Sequence, residues 1–201
     1  MYVGRFLLFG RMESGAPVAV YGVCSRSFPD RRARVSDGEA HIVPEDPEYA
    51  VENPYVVYPC ARVVDRYLVL TNGAQTVPIA DKLEDGVPPR EALASVTLAM
   101  DYEHDEHGTP RIGLVTDGRC AWLGKAAPDE LAFVRVEPRD GEGYLLSVYG
   151  EYSTVPRTPN VRLTDDDPLE INPIASFDHF VCAVVARLTE DGWRLEERNQ
   201  G

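Results

Sequence analysis

Short apolar segments separated by turn residues run through most of the chain, the pattern of a strand-rich protein. Residues 2–9 and 17–24 flank a Gly/Ser-containing turn at residues 12–15 and predict an antiparallel hairpin at the start. The second of these segments is almost wholly apolar rather than alternating. That implies burial on both faces, in a sheet covered on each side by another layer. Residues 55–64 and 67–71, joined by Asp65-Arg66, form a second predicted strand pair. Residues 111–116 and 119–124, joined by Asp117-Gly118, carry a two-residue hairpin signal. Two helices fall between these groups. Residues 75–84 are interrupted by Pro78, whereas residues 88–102 begin on Pro88-Pro89 and repeat Leu93, Val96 and Met100 at helical spacing. Strands follow at 131–136 and 144–149, and the Pro- and Asp-rich stretch 155–173 reads as a long surface loop. Residues 177–188 fit a strand of a final hairpin, turned at Asp191-Gly192, or a buried helix.

Composition narrows the class. With 201 residues, 44% of them hydrophobic, the chain is expected to form one domain over residues 1–201 around one sizeable core. No run approaches the roughly 18 apolar residues of a membrane span, and residues 1–10 lack the basic start of a signal peptide, so a cytoplasmic protein is expected. Cys24, Cys60, Cys120 and Cys182 lie far apart with no CxxC pair, as reduced thiols would. A pI near 4.7 opposes binding to nucleic acid.

Two blocks carry candidate chemistry. In residues 98–111 an apolar run stops in carboxylates, a tyrosine and two histidines. Tyr102, Glu103 and Asp105 would emerge at a helix end, where they could serve a pocket in acid/base work or form a solvated loop. His104 and His107 make a weak metal signal, and no ligand set of defined spacing supports it. Residues 24–34 hold Arg26, Arg31, Arg32 and Arg34 beside Ser25 and Ser27, in a chain of formal net charge −13. Planar guanidinium forks suit a phosphate, although pairing with surplus surface carboxylates is the plainer alternative. A third group, Asn53, Tyr55, Tyr58 and Asn72-Gly73, could line a pocket or be strand and turn residues. P-loop, Rossmann and GxSxG signatures are absent, and Tyr2 would give no terminal nucleophile after loss of Met1.

In order along the chain, residues 1–5 (Met-Tyr-Val-Gly-Arg), 25–31 (Ser-Arg-Ser-Phe-Pro-Asp-Arg), 53–55 (Asn-Pro-Tyr), 71–73 (Thr-Asn-Gly), 79–81 (Ile-Ala-Asp), 99–103 (Ala-Met-Asp-Tyr-Glu) and 109–111 (Thr-Pro-Arg) resemble the archaeal-type IMP cyclohydrolase family. The resemblance covers most of residues 1–115 and thins out afterwards. It implies an α+β fold, a four-layer αββα sandwich like that of N-terminal nucleophile hydrolases without the terminal nucleophile. It also implies the last step of IMP synthesis. The carboxamide nitrogen of the formamidoimidazole carboxamide ribonucleotide attacks the formyl carbon and water leaves, a reaction that requires no metal or organic cofactor. Under this resemblance Arg31, Tyr58 and Glu103 are the catalytic candidates, as electrostatic clamp, hydroxyl donor and proton-transfer group. Arg26 and Ser27 are the phosphate candidates, and Asn72, Tyr102 and Arg111 would bind base and ribose. A noncatalytic purine-nucleotide-binding regulator is the alternative. The partners implied are the nucleotide substrate and product, with neither nucleic acid nor membrane; the oligomeric state is left open, a homo-oligomer included.

The 33 acidic residues outnumber the 20 basic ones, and only Lys82 and Lys125 are lysines. That surface suits a salt-rich cytoplasm, and arginine-favouring codon usage with ordinary acidity is the competing explanation. On the first reading molar potassium chloride screens carboxylate repulsion and raises the melting temperature. A melting temperature that stays flat or falls across a salt series contradicts it.

Overall fold

The computed structural model describes residues 1–46 and 57–200, so Asn53, Tyr55 and the predicted strand start at residue 55 lie outside the described residues. Two antiparallel sheets face each other. The first contains β1 (Arg5–Arg11), β2 (Pro17–Cys24), β10 (Glu142–Ser147), β11 (Val161–Arg162), β12 (Phe180–Thr189) and β13 (Gly192–Asn199), in the order β11-β10-β1-β2-β12-β13. The second contains β3 (Arg31–Ser36), β4 (Glu39–Pro44), β5 (Tyr58–Val64), β6 (Tyr67–Thr71), β7 (Arg111–Thr116), β8 (Ala121–Ala127) and β9 (Glu130–Val136), paired in chain order.

The continuously apolar early strands follow from burial on both faces. Along β1, Leu7 and Phe9 enter the core between the sheets with Tyr21, Ile42, Leu68, Leu70, Ile112 and Leu114, while Phe6 and Leu8 pack on the opposite face. In β6, Leu68 and Leu70 point inward and Val69 points out to the helices. Successive strand side chains alternate faces, so a strand with no polar face needs cover on both.

Both helices, α1 (Thr76–Glu84) and α2 (Pro89–Met100), cover the outer face of the seven-stranded sheet through Ile79, Leu83, Leu93 and Val96. Pro89 begins α2, where its missing N–H is not needed. Pro78 falls in the first turn of α1 and is tolerated for the same reason. Helix α2 stops at Asp101, whose φ of 56° leaves the helical region.

The outer face of the six-stranded sheet differs from the four-layer αββα expectation. Among the described residues its cover is irregular chain with one 3-10 turn, Ile174–Ser176. Leu163, Leu169, Ile171, Ile174 and Phe177 pack there on Phe6, Leu8, Val18 and Leu145. Pro156, Pro159, Pro168 and Pro173 remove N–H donors from this stretch and explain why its apolar residues are not delivered by a helix. The predicted surface loop 155–173 is therefore partly buried, with Val155, Val161 and Leu163 inside.

Three local details also depart from the sequence pattern. Asp37-Gly38, both at positive φ (49° and 78°), turns the β3–β4 hairpin, which the arginine run conceals. Thr116 pairs with Ala121, so the Asp117-Gly118 connection is four residues long and β8 starts at Ala121. The final hairpin forms as β12 and β13, closed by Thr189 opposite Gly192. Its second strand also seals the edge of the other sheet. Asn199 Oδ1 and Glu197 Oε2 each accept a 2.8 Å hydrogen bond, from the N–H groups of Ala33 and Val35 in β3.

Phe6 crosses β2 at Gly22 to meet the edge of Phe177, with ring centroids 5.2 Å apart. A Cβ on Gly22 would overlap the Phe6 ring. Gly22→Ala should therefore cost about 1–3 kcal/mol and lower the melting temperature by several degrees in a thermal melt. A variant melting with the wild type would show that this interface repacks freely.

Candidate functional site

Antiparallel pairing brings alternate strand ends to one rim of the sandwich. The starts of β1, β3, β5 and β7 and the end of β6 place Arg5, Arg31, Tyr58, Arg111 and Thr71 there. The abrupt stop of α2 sends residues 101–110 across the same rim before β7 begins. Glu103 is fixed in this crossing by its N–H, which donates to Thr109 O at 2.8 Å. Asp105 closes the loop by accepting from the Thr109 N–H at 2.8 Å and the Thr109 hydroxyl at 2.6 Å. Burial opposes the Asp105 charge, yet the hydrogen bonds from Thr109 and His107 hold its carboxyl below the usual range.

The Glu103 carboxylate lies between two guanidinium groups from different sheets. Arg111 Nη1 is 3.5 Å from Oε1, and Arg5 Nη2 is 3.8 Å from Oε2. Burial pushes the Glu103 carboxyl above the usual range, and the two arginines only partly offset it. Arg5 Nε, Glu103 Oε2 and Arg111 Nε are buried without a hydrogen-bond partner among the described residues. Such atoms are costly to leave unpaired, so their convergence marks a place for a polar ligand.

A hydrogen-bond chain sets the position of Arg111. Its Nη1 donates to Gln75 Oε1 at 2.9 Å, and Gln75 Nε2 donates to Asn72 Oδ1 at 2.8 Å. Asn72 also donates to Pro110 O and accepts from the Ile112 N–H, both at 2.9 Å. Gly73 leaves room beside this chain, since a Cβ there would stand 2.8 Å from Gln75 Oε1 and 3.1 Å from Arg111 Nη1.

On the other side of Arg5, the hydroxyls of Tyr58 and Tyr21 are 2.8 Å apart. Burial raises the Tyr58 hydroxyl above its ordinary value, while the positive field of Arg31 and Arg5 and the bond with Tyr21 pull it back. Arg31 is itself buried, with its Nε donating to Phe28 O at 3.0 Å. Arg26 stacks over the Tyr2 ring at 4.3 Å, Tyr2 lies on Tyr149 at 6.2 Å, and the Tyr149 hydroxyl meets Thr109 Oγ1 at 3.0 Å. The arginine turn and the acidic loop are thereby tied together.

The structure brings Glu103 to Arg111 directly, and Arg5 joins them to the Tyr58–Arg31 pair. Arg26 and Ser27 are exposed on the turn that precedes Arg31. Asn72 is 2% exposed, its amide bonded to backbone and to Gln75, which in turn bonds Arg111. Tyr102 packs within its own loop, 4.3 Å from the His104 ring. His104 and His107 are exposed beside Asp101 and Glu106, and no metal-holding cluster of His, Cys, Asp or Glu occurs among the described residues. Sequence reasoning missed Arg5, Tyr21 and Gln75 as site residues. Arg5 had a readable signal, a charge directly before the apolar run of residues 6–10; Tyr21, inside the apolar β2, had none.

A model of the family described as "IMP cyclohydrolase-like protein" matches residues 2–192. The chain is 66% identical to a protein of Methanopyrus kandleri named "IMP cyclohydrolase", over 98% of this chain and all of that one. It is 37% identical to a protein of the same name from Methanocaldococcus jannaschii, over the full length of both. A third of that name, from Methanothrix thermoacetophila, is 37% identical over 99% of each chain.

The raised Glu103 carboxyl has a stability consequence. In the fold its neutral form is favoured relative to the unfolded chain, so its contribution is full below the ordinary Glu pKa of about 4.3 and is lost as pH rises through the higher folded value. Glu103→Gln, which does not titrate, should gain in melting temperature relative to the wild type as pH rises from about 4 to neutrality. A difference that stays constant or reverses over that range would show that the carboxyl is not raised.

Proposed function

The chain belongs to the IMP cyclohydrolase-like family, and on that premise we propose that the Arg5–Glu103–Arg111 rim, with Tyr58 and Arg31, closes the purine ring of the formamidoimidazole carboxamide ribonucleotide to give IMP and water. The observation that carries the assignment of the site is the set of three buried unpartnered atoms, one carboxylate oxygen and two guanidinium nitrogens, on one rim. A planar heterocycle with an amide edge offers an N–H donor for the carboxylate oxygen and acceptors for the two guanidinium N–H groups.

The carboxamide nitrogen is a poor nucleophile. It must lose one proton as it attacks the formyl carbon; the formyl oxygen gains two protons in all and leaves as water, as the former formamide nitrogen gives up its own proton and forms the ring C=N bond. Glu103 is the proton-transfer group; its raised carboxyl brings its proton affinity closer to neutral conditions. Tyr58 donates its hydroxyl to the formyl oxygen, and Arg31, whose field already reaches that hydroxyl, stabilises developing negative charge. Arg26 and Ser27 grip the phosphate on the exposed turn. Arg111 and Arg5 hold the base, Tyr102 shapes the ribose side, and Asn72 serves indirectly by aligning Gln75. Holding the two reacting groups in contact supplies much of the acceleration. The layer order of helices, sheet and sheet supports the likeness to N-terminal nucleophile hydrolases, with irregular chain in the fourth layer. The core shared by both sheets supports reading 1–201 as one domain.

Incubation with the formyl nucleotide should produce IMP absorbance with a chelator present. Glu103→Gln and Tyr58→Phe should fold and lose turnover by about 10²–10⁴-fold. Arg31→Ala should weaken IMP binding by about 1.5–3 kcal/mol, and Arg26→Ala should weaken it in a more salt-dependent way. Binding without turnover would make the protein a nucleotide-binding regulator. Wild-type turnover in Glu103→Gln or Tyr58→Phe removes that residue from the chemistry.

A further inference from the structure

Tyr21 is wholly buried in the middle of β2, yet it carries a hydroxyl into the core between the sheets. Its hydroxyl lies 2.8 Å from that of Tyr58, and the two rings meet edge to face at 87°. A phenylalanine would fill the same apolar space without the desolvation cost of the hydroxyl. Two hydroxyls in contact can share their protons in two ways, and only one of them leaves the Tyr58 proton free for a substrate.

We infer that Tyr21 is a positioning residue that donates its hydroxyl proton to the Tyr58 oxygen and so turns the Tyr58 O–H toward the rim site. The geometry selects this sense. Tyr21 is enclosed on all sides, whereas Tyr58 stands at the start of β5, on the rim. The charged groups whose field reaches Tyr58 are Arg31 and Arg5, which donate hydrogen bonds and accept none. With Tyr21 donating, the Tyr58 oxygen is satisfied and its proton points away from all three. Burial raises both hydroxyls, Tyr21 well above its ordinary value and Tyr58 less so because Arg31 and Arg5 offset part of the rise, an order consistent with Tyr21 keeping its proton. Cys60 is near both, but its thiol donates to Ala40 O at 3.4 Å and burial pushes it far up, so it stays protonated.

This inference rests on the reading of Tyr58 as the hydroxyl donor. The test is a double-mutant cycle of Tyr21→Phe and Tyr58→Phe, read in single-turnover rate, kcat and KM, below the melting temperature of each variant. Tyr21→Phe should lower kcat by about three- to tenfold with little change in KM, the loss expected when one neutral hydrogen bond stops aligning a donor. In the Tyr58→Phe background the same change should do nothing further. An equal loss in both backgrounds, or none in the wild type, overturns the inference and leaves the function standing. Wild-type turnover by Tyr58→Phe overturns the role of Tyr58 and the inference with it. A second measurement does not depend on Tyr21→Phe folding. In the intact protein with labelled tyrosines, the Tyr21 hydroxyl proton should give a slowly exchanging, downfield NMR signal that moves upfield in Tyr58→Phe. A slowly exchanging bridging proton that belongs to Tyr58 overturns the assignment.

Discussion

The buried carboxylate of Glu103, held between Arg5 of one sheet and Arg111 of the other, is the constraint on which the rim depends. Neither distance is that of a tight bidentate pair, and burial outweighs both attractions in setting the carboxyl's proton affinity. On the carboxylate's side the ion pair contributes little to folding, because burial of Glu103 outweighs what the loose contacts return, whereas Arg5 holds its charge against burial through Tyr58, Tyr21 and Glu103. The pair is kept in place by its neighbours. The Thr109–Asp105 bonds fix the loop, Gln75 fixes Arg111, and the apolar core fixes β1 beneath Arg5.

Such a site is destabilised before it binds anything. Each buried polar atom without a partner costs about 1–3 kcal/mol, a large share of the 5–15 kcal/mol by which a typical domain is stable. The remainder of the fold offsets that cost by burying both faces of β1 and β2 and by covering the edge of β3 with Glu197 and Asn199. A ligand that completes the three atoms recovers part of the cost on binding. Concentrating cationic groups here also gives an anionic nucleotide a local attraction against the chain's net charge of −13.

Much of the frame was legible because its signals are local. Helix α2 showed its proline start and its apolar period, and the β1–β2 hairpin showed strands too apolar to have a wet face. The final hairpin was legible as one of two readings. The β3–β4 hairpin was hidden because Arg31, Arg32 and Arg34 read as a charge run, although the burial along β3 alternates and Asp37-Gly38 is a strong turn signal. The irregular cover over Phe6 and Leu8 was read as surface because proline and aspartate dominate its composition while a few leucines and isoleucines do the packing. Within the site, the acidic and arginine blocks stood out by charge. Asn72 looked like a ligand contact because its type suits one, and only tertiary structure shows its amide bonded to Pro110, Ile112 and Gln75. Tyr21 was invisible for a simpler reason, since an aromatic residue in a buried strand is unremarkable until its hydroxyl is seen to meet another.

The central claim is that the three unpartnered atoms receive the heterocycle of a nucleotide whose phosphate lies on the arginine turn. A crystal structure of the protein with bound IMP tests it most directly. The account predicts base atoms within hydrogen-bond distance of Arg5 Nε, Glu103 Oε2 and Arg111 Nε, and the phosphate against Arg26 and Ser27. IMP bound elsewhere, with those three atoms still unpartnered, would contradict it.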